Sequence, residues 1–430
     1  MKKNEISRRK VIKGGAVGIA LFSIIPRHVM GKGCLAPSDQ LTKAVVGVGG
    51  MGQGHLGKNM GTYSANLLAI CDVDQAHIDS TLKKTPAGTK GYRDFRDVLA
   101  RDDIDVIHIP TPPHWHGLIS IAASNAGKAV FCEKPMTRTI GEGEAVVEAC
   151  RRNGTIFRLN TWFRFTTGAF YKLGRDSTFC RKLVNSGILG GPLTCTIGAK
   201  SGFDWKLEAW QGNYAQTPQA IPKNLDYDFW LGPRPWRDYN KSHVHTNFRG
   251  YWDYDGGGLG DMGLHYLDPA QFILGKDNES PSEITPITDD QHPYIAKPWK
   301  KVTLKWADGT TIILDGDGTA SDKYLEGSNG YLQKGGVSNL DVNTAVAAQP
   351  ALPKVIKKFG DAIKTKQKFA LNEVNGHRST TLVNLAIIAI RLNRKLNFDN
   401  ATQRFINDDE ANRMINQPMR APWTINEMGV

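Results

Sequence analysis

A glycine-rich turn after a short apolar run constrains the fold of this chain more than any other feature. Residues 44–46 are Ala-Val-Val, and Gly47, Gly49 and Gly52 follow with the spacing Gly-x-Gly-x-x-Gly. In a strand–turn–helix unit, the first glycine permits a tight turn, the second lets a phosphate approach the backbone, and the third lets helix and strand pack closely. The pattern therefore predicts an α/β unit that binds a dinucleotide, with Gly50 and Met51 also at the pyrophosphate.

The next apolar run supports this reading. Residues 65–70 are typical of a buried strand, and Asp72 follows them. An acidic residue about 20 positions beyond the glycines is where the ribose hydroxyls of an adenosine are held. No Arg or Lys occurs between Asp72 and Asp79, so a 2′-phosphate would meet negative charge without a compensating cation. The sequence therefore favours NAD over NADP.

Strands alternate with helices through residues 41–161, which predicts a Rossmann domain built on a doubly wound parallel sheet. Further strands are expected at 105–110, 129–132 and 155–160, and helices at 75–84, 92–99, 115–126 and 140–152. Ligands of such sheets bind beyond the carboxyl ends of the strands. Residues 111–116 and 133–135, which follow two of these strands, are therefore expected to face the cofactor.

The pattern changes in residues 162–430, where we expect a substrate-binding α+β domain. Residues 192–199, 302–306 and 310–314 alternate apolar and polar side chains, and the last two runs flank the hairpin signal Ala307-Asp308-Gly309. Residues 352–364 and 374–392 are typical of helices. Residues 382–390 are strongly apolar but too few to cross a membrane. These features predict a mainly antiparallel sheet with helices on one side.

Residues 205–255 are rich in aromatic side chains and glycine, which indicates a carbohydrate-facing loop rather than a core. Aromatic rings are flat apolar surfaces on which sugars can stack, although core packing is expected to take part of this set. The rings considered are Trp205, Trp210, Trp230, Trp236, Tyr251 and Trp252.

The amino terminus predicts export. Residues 1–37 hold eight Lys and Arg against one Glu, a net +7 of the total +12, so the basic character lies mostly there and gives no reason to expect a nucleic-acid partner. The pair Arg8-Arg9 precedes a short apolar run at residues 16–25, as in a twin-arginine signal. That run is too short for a membrane helix. We therefore expect a periplasmic or otherwise exported protein that meets the membrane only through this signal.

Neither the cysteines nor the histidines predict a metal site. The six cysteines form no Cys-x-x-Cys pair, and we interpret them as structural or incidental. An oxidising compartment would allow a Cys180–Cys195 disulfide, but nothing in the sequence requires it. His114 and His116 are two residues apart and have no third ligand at a suitable spacing.

Three motifs in one order carry a resemblance to a known family: Gly47-x-Gly49-x-x-Gly52, Glu133-Lys134-Pro135 and Asp261-x-x-x-His265. Together they make the chain similar to the Gfo/Idh/MocA oxidoreductases from about residue 41 to residue 423. The resemblance implies a Rossmann domain followed by an open-faced antiparallel sheet, a sugar or polyol bound between them, and a homo-oligomer. It implies that Lys134 and His265 are catalytic and supported by Asp261. Cofactor contacts carried over by resemblance are Thr111, Pro112, Trp115, His116, Glu133 and Arg164.

The chemistry of these residues agrees with hydride transfer. A neutral histidine is a suitable base for a hydroxyl proton near neutral pH. Asp261 and His265 are four residues apart, so on a helix they share one face. Lys134, at the end of a strand, can stabilise a developing negative charge on oxygen.

Three functions remain open from the sequence. The first is an NAD(P)-dependent oxidoreductase acting on a sugar, polyol or glycoside, with a tightly held cofactor because an exported enzyme has no nicotinamide pool to draw on. The second is a redox-neutral glycoside hydrolase or lyase that oxidises a sugar carbon, eliminates the glycosidic group, adds water and reduces the ketone again. The third is a sugar-binding module that retains NAD only as structure, which the complete set of Lys134, Asp261 and His265 disfavours.

Overall fold

The computed structural model describes most of the chain after the leader. The described residues are 40–58, 63–161, 164, 173–198, 200, 205–214 and 216–425. The expected twin-arginine signal in residues 1–37 lies outside these ranges.

The first sheet has six parallel strands and the expected doubly wound topology. Its strands are β1 (Leu41–Val46), β2 (Ala65–Cys71), β3 (Lys90–Tyr92), β4 (Val106–Ile109), β5 (Ala129–Glu133) and β6 (Phe157–Asn160). Their order is β3-β2-β1-β4-β5-β6. Strands β2 and β3 therefore lie on one side of β1, and β4 to β6 lie on the other, so the order of the strands switches between β1 and β4. All residues of β4 and β5 are buried, as expected for strands covered on both faces by helices.

Polar side chains cap the start of three of the five helices in this domain, at Asp74, Asp94 and Thr139. The helices are α1 (Gly50–His55), α2 (Gln75–Leu82), α3 (Phe95–Leu99), α4 (Pro113–Asn125) and α5 (Ile140–Asn153). The third helix was expected from residue 92, but Tyr92 ends β3. The helix begins at Phe95, because the Asp94 side chain accepts a hydrogen bond from the Arg96 N–H and caps it. The fourth begins two residues early, at Pro113, because the first helical position needs no N–H donor.

The second sheet has eight strands and is mostly antiparallel. Its strands are β7 (Thr194–Gly198), β8 (Glu283–Ile287), β9 (Lys301–Lys305), β10 (Thr311–Asp315), β11 (Lys323–Glu326), β12 (Tyr331–Gln333), β13 (Leu396–Asp399) and β14 (Arg404–Phe405). The order is β12-β11-β7-β10-β9-β8-β13-β14, and only β7 and β10 pair in parallel. Strands β9 and β10 form the hairpin expected at residues 307–309. The predicted fold class, a parallel Rossmann sheet followed by a mainly antiparallel sheet, is confirmed.

Two long helices join the sheets. The helices of this part are α6 (Ser177–Ser186), α7 (Tyr227–Leu231), α8 (Gly257–Leu274), α9 (Val342–Ala347), α10 (Phe359–Thr365), α11 (Glu373–Leu392) and α12 (Asp409–Arg413), with 3₁₀ turns at His245–Gly250 and Lys334–Gly336. Helix α11 packs against α8 on one side and α5 on the other.

Helix α10 starts seven residues later than expected, because Ile356 forms a β-bridge with Phe369 instead. Among the described residues, no helix is long and apolar enough to cross a membrane.

The aromatic segment of residues 205–255 is not the open carbohydrate-facing loop that its composition predicts. Of the six rings considered, Trp205, Trp230, Tyr251 and Trp252 are buried, and Trp236 is 52% exposed. The expectation was wrong for most of these rings because Trp205 and Trp252 pack in the main core, and Trp230 and Tyr251 pack in a separate aromatic core. That core contains Leu225, Tyr227, Trp230, Leu231, Tyr239, Val244, Phe248, Tyr251, Tyr254 and Ile295.

The cysteines behave as buried apolar side chains. Cys71, Cys132, Cys150, Cys180 and Cys195 are all buried free thiols, so the disulfide allowed between Cys180 and Cys195 is not formed. Burial raises the pKa of each of these thiols, which keeps them protonated and unreactive.

Candidate active site

The glycine turn is tightly packed on one side and open on the other. Gly47 adopts a positive φ of 94°, and a Cβ at Gly52 would lie 2.0 Å from the Gly47 carbonyl oxygen. At Gly50, by contrast, no described atom lies within 4 Å of the Cβ position. Gly49 and Met51 also line the cleft above the turn. The turn therefore leaves bare backbone facing free space, as a bound pyrophosphate requires.

The segment after β4 forms the next part of the cleft. The Thr111 hydroxyl is buried and has no hydrogen-bond partner among the described residues. It lines the cleft together with Pro112 and Trp115. A buried polar group without a partner costs free energy unless a ligand satisfies it, so this hydroxyl fits a bound cofactor.

His116 is placed behind the cleft instead of in it. Its Nδ1 lies 2.6 Å from the Pro135 carbonyl oxygen and its Nε2 lies 2.8 Å from the Thr111 carbonyl oxygen. Burial lowers the pKa of His116. The ring therefore ties the two strand-end segments together, which positions Thr111 and the residues after β5.

The Asp72 carboxylate lines the cleft at the end of β2, the end at which an adenosine is expected. It accepts hydrogen bonds from the Val48 N–H (2.8 Å) and the Asp74 N–H (2.9 Å), and it lies 3.3 Å from His77 Nδ1. The hydrogen bond to Asp72 raises the pKa of His77. Arg93 lines the same cleft, so a cation is present here although none occurs between Asp72 and Asp79. The local sequence argument against a 2′-phosphate was therefore incomplete.

Asp74, His77 and His245 bring three potential metal ligands within 4.8 Å of one another. The Asp74 side chain already accepts from the Ala76 N–H (2.8 Å) and from the Asn224 amide (2.6 Å). His77 interacts with Asp72, as described above. These side chains hold residues 224–245 against the Rossmann domain, and we assign no metal to them.

The Lys134 ammonium and the Asp261 carboxylate meet at the opposite end of the cleft. The ammonium donates to the Asp261 backbone oxygen (2.5 Å) and to its carboxylate (2.8 Å), and Arg249 Nε lies 2.9 Å from the same carboxylate oxygen. All three residues line the cleft. Burial alone would raise the pKa of Asp261, but the two cations lower it below its usual range. The site therefore presents an ionised carboxylate between two cations.

His265 lies one turn of α8 after Asp261, on the face predicted from their spacing. The ring is only 1% exposed. Burial, with a further contribution from Lys134, lowers the pKa of His265 to about 3. The imidazole is therefore neutral near pH 7, which is the form that can accept a proton.

Glu133 begins a chain of buried polar groups that the sequence analysis missed. Its Oε1 accepts from the Asn160 amide (2.7 Å) and lies 2.9 Å from His55 Nε2. His55 Nδ1 lies 2.9 Å from His108 Nδ1, and His108 Nε2 contacts the Tyr63 hydroxyl. Burial would raise the pKa of Glu133, but His55, Asn160 and Lys134 lower it. No local spacing could reveal this chain, because its five members come from five separate segments.

Two family models cover the chain. One, described as the NAD-binding Rossmann fold of an oxidoreductase family, matches residues 41–161. The other, the C-terminal alpha/beta domain of the same family, matches residues 173–425. The chain belongs to the Gfo/Idh/MocA oxidoreductase family.

Individual relatives match a smaller part of the chain than the family models do. An inositol 2-dehydrogenase of Salmonella paratyphi B is 30% identical over 36% of this chain and 44% of its own length. A glycosyl hydrolase family 109 protein of Shewanella baltica is 34% identical over 30% of this chain and 31% of its own. These matches span less than half of each relative.

A solved structure shows the same fold over most of the chain. The WlbA dehydrogenase of Bordetella pertussis, in complex with NADH and UDP-GlcNAcA, superposes with a TM-score of 0.56 at 18% identity. The superposition covers 84% of this chain and 99% of that one. At this identity the likeness shows the fold alone.

In this Gfo/Idh/MocA protein, Arg164 does not reach the cleft, although the resemblance implied a cofactor contact. Its side chain is 2% exposed. The guanidinium pairs with Asp268 (2.7 Å) and Asp277 (2.7 Å), and it lies near the Ser379 hydroxyl. This group joins α8 to the segment before α6 and is structural.

Asp255 is a further residue of the site that the sequence did not indicate. Its Oδ1 accepts from the Gly256 N–H (2.8 Å), and its Oδ2 has no hydrogen-bond partner among the described residues. Burial, followed by repulsion from Asp261, raises the pKa of Asp255 to about 7. A second carboxyl group, partly protonated at neutral pH, therefore lies beside the Lys134–Asp261 pair.

Residues 222–250 close the cleft from the second domain. The Gln75 N–H donates to the Asn224 carbonyl (2.9 Å), and the Asp226 N–H donates to the Val73 carbonyl (3.0 Å). Thr246, Phe248 and Arg249 from this segment line the cleft. The cofactor cleft thus has a wall that lies at least 170 residues from the glycine turn in sequence.

Proposed function

We propose that this protein is an NAD-dependent oxidoreductase that acts on a sugar, polyol or glycoside by hydride transfer. The observation that carries the proposal is the pairing of Lys134 with Asp261 at the end of a cleft that begins at the glycine turn, with the neutral imidazole of His265 one helical turn beyond Asp261. The polyol dehydrogenase among the relatives supports the substrate class.

Each side chain has a defined task in this proposal. Lys134 donates a hydrogen bond to the substrate hydroxyl oxygen and stabilises the negative charge that develops there. His265 accepts the hydroxyl proton, because its imidazole is neutral in the free protein. Asp261 holds the Lys134 ammonium in place from two oxygens. A bound nicotinamide supplies the hydride acceptor.

NAD is proposed over NADP because the Asp72 carboxylate lies where the ribose hydroxyls would bind. Arg93 and His77 are the groups that could instead favour a 2′-phosphate. Calorimetry with protein freed of its bound dinucleotide separates these possibilities: NAD should bind more tightly than NADP, and Asp72→Ser should reduce that preference. Tighter binding of NADP by the wild-type protein would refute the choice of cofactor.

The cofactor is proposed to stay bound through turnover, in an exported and oligomeric protein. Retention is supported by residues 222–250, which cover the cleft through backbone hydrogen bonds. Export is supported by the Arg8-Arg9 pair and the apolar run after it. Cell fractionation of wild type and an Arg8→Lys, Arg9→Lys variant tests export, and light scattering of the purified protein tests self-association.

The reaction itself is tested with a panel of sugars, polyols and glycosides. Native mass spectrometry should show the dinucleotide on the purified protein. Oxidation of at least one substrate should produce a ketone and reduced cofactor in equal amounts. Lys134→Ala and His265→Ala should remain folded and lose turnover. Full activity in both variants would show that these roles are wrong.

A redox-neutral glycoside hydrolase is the second candidate, because a glycosyl hydrolase family 109 protein is among the relatives. In that reaction the substrate is oxidised, the glycosidic group leaves, water adds and the ketone is reduced again. Chromogenic glycosides distinguish the two functions. Release of the aglycone without net reduced cofactor supports the hydrolase, and ketone without aglycone supports the oxidoreductase.

A further inference from the structure

A second cavity, of about 180 Å³, lies between α11, the start of α5 and the residues that follow α12. Three arginines from three separate segments line it: Arg138 before α5, Arg391 at the end of α11, and Arg413 at the end of α12. No residue of this cavity lines the cofactor cleft. It is therefore a separate feature of the molecule with its own chemistry.

The guanidinium of Arg391 has no anionic partner. It is partly buried, and among the described residues it makes no hydrogen bond or ion pair, only a contact with the Trp252 ring at 5.4 Å. Burial lowers the pKa of Arg391. A buried cation is costly unless an anion pairs with it. Its surroundings thus leave a place for a negative charge.

Arg138 adds a second guanidinium without an anion bonded to it. The side chain is 6% exposed, and both of its hydrogen bonds, at 3.0 and 2.6 Å, go to the neutral carbonyl of Trp252. The pKa of Arg138 is lowered to about 10 by burial and next by Arg391. The two cations therefore repel each other inside the protein.

Asp255 attracts Arg138, but burial and Asp261 raise the pKa of Asp255 to about 7, so it is only partly ionised at neutral pH. The other two acidic residues that act on Arg138 and Arg391 are already engaged. Asp253, which attracts Arg391, accepts from Arg237 at 2.6 and 2.9 Å and from the Gln417 amide at 3.1 Å. Glu142, below Arg138, pairs with the buried Arg234 at 2.5 Å. Positive charge is thus left over at the cavity.

Polar groups complete the lining. The Asn384 side chain lines the cavity and is 5% exposed. Its amide nitrogen, Nδ2, has no hydrogen-bond partner among the described residues. Arg413 and Asn416 at the mouth are exposed, so the cavity opens to solvent. Arg391 lies in the last turn of α11, where the helix dipole favours a cation. That effect explains one guanidinium but not three around one cavity.

We propose that this cavity binds an oxyanion, held by Arg138, Arg391, Arg413 and the Asn384 amide, independently of the cofactor. Guanidinium groups hold phosphate, sulfate and carboxylate oxygens by paired, charge-assisted hydrogen bonds. The volume accommodates one such group but not a dinucleotide. The occupant is therefore a free inorganic anion or the single acidic group of a larger molecule that enters from the mouth.

Calorimetry on the full-length protein tests the site, with inorganic phosphate, sulfate and glucuronate as separate probes at constant ionic strength. Each titration is run on the protein as purified and again with saturating NAD, which occupies the glycine turn. The expected result is saturable binding of one equivalent of at least one probe, unchanged by NAD. Phosphate or sulfate binding identifies a free anion, and binding of glucuronate alone identifies the acidic group of a sugar.

Variants locate the binding. Arg391→Gln and Arg413→Gln should each weaken it at least about tenfold, because each removes a charge-assisted hydrogen-bond donor. Arg151→Gln removes the same charge from a surface pair with Glu148 and should change nothing. If Arg391→Gln unfolds, the exposed Arg413 still gives the answer. Absence of saturable binding for all three probes, or equal binding by Arg413→Gln and Arg151→Gln, would overturn the proposal.

Discussion

Helix α8 carries two buried carboxylates that look alike and do different things. Asp261 is 7% exposed and interacts with Lys134 and Arg249, and Asp268 is 0% exposed and interacts with Arg164. Both lie on one helix, seven residues apart, and each pairs with at least one buried cation. The difference is that Asp261 and its partners line the cleft, whereas Arg164 and Asp268 are buried away from it and form a closed pair.

This comparison shows that burial and pairing do not by themselves make an active site. A carboxylate at a cleft can give up part of its interaction with an ammonium when a substrate hydroxyl arrives. A closed group can only hold elements together. The family resemblance implied a functional role for Arg164, because a sequence comparison does not show which ion pairs are open to the cleft.

The largest effect is expected at the open pair. Lys134→Gln should reduce turnover by about 10²–10³-fold, because it removes the cation that stabilises a developing negative oxygen. Steady-state kinetics on the substrate found in the panel measures the loss. Lys276→Gln is the matched control, since Lys276 pairs with Glu279 and Asp308 outside the cleft. A similar loss in both variants would mean that the open pair has no special role.

The closed group should show the opposite behaviour. Arg164→Gln should lower the free energy of unfolding by about 3–5 kcal/mol, because it leaves the Asp268 carboxylate buried without its cation. Urea denaturation measures this loss, and the fraction that remains folded should keep wild-type turnover. A stable variant that no longer binds the cofactor would instead restore the contact role implied by the family resemblance.

The pH dependence of stability should differ in sign between two carboxyl groups at the open site. The pKa of Asp255 is raised from 3.8 to about 7, so its contribution is fully present below pH 3.8 and is lost as the pH rises toward 7. The pKa of Asp261 is lowered, so its contribution is present above pH 3.8 and is lost as the pH falls below that value.

Asp255→Asn should therefore gain stability relative to wild type as the pH rises through this window, and Asp261→Asn should not. Thermal denaturation across the window measures both differences. Asp255→Asn should also shift the pH profile of kcat, since the charge beside Lys134 is removed. A stability difference that stays constant with pH would show that Asp255 is ionised throughout.

The smallest effect is expected in the chain that reaches the cleft only through Glu133. Tyr63→Phe removes the hydroxyl that contacts His108 and should cost about 0.5–1.5 kcal/mol of unfolding free energy. Turnover should stay at the wild-type value, because Tyr63 lies three side chains away from the cleft. Tyr92→Phe, at a half-buried tyrosine near Arg101, is a suitable control. A large loss of turnover in Tyr63→Phe alone would make this chain part of the reaction.

The features that the sequence predicted are those encoded within a few residues. The glycine turn and Asp72 were found because one strand–turn–helix unit carries them. The shared face of Asp261 and His265 follows from helix periodicity alone. The sheet class followed from the order of strands and helices, for the same reason.

What the sequence did not predict depends on contacts between distant segments. Arg249 and Asp255 join the site only because residues 222–255 fold back over the Rossmann sheet. Their aromatic composition suggested a surface, since composition does not say whether rings face solvent or one another. Arg93 reaches the adenosine end from the strand beside Asp72, outside the window in which a cation was sought.

The backbone hydrogen bonds that join Asn224 to Gln75 and Asp226 to Val73, just after β2, have a kinetic consequence for the proposed cofactor. In the proposed function a dinucleotide lies beneath these bonds, so its residence time is expected to depend on how often this backbone bridge opens. A cofactor held in this way would be regenerated in place by the next reactant, as a prosthetic group is.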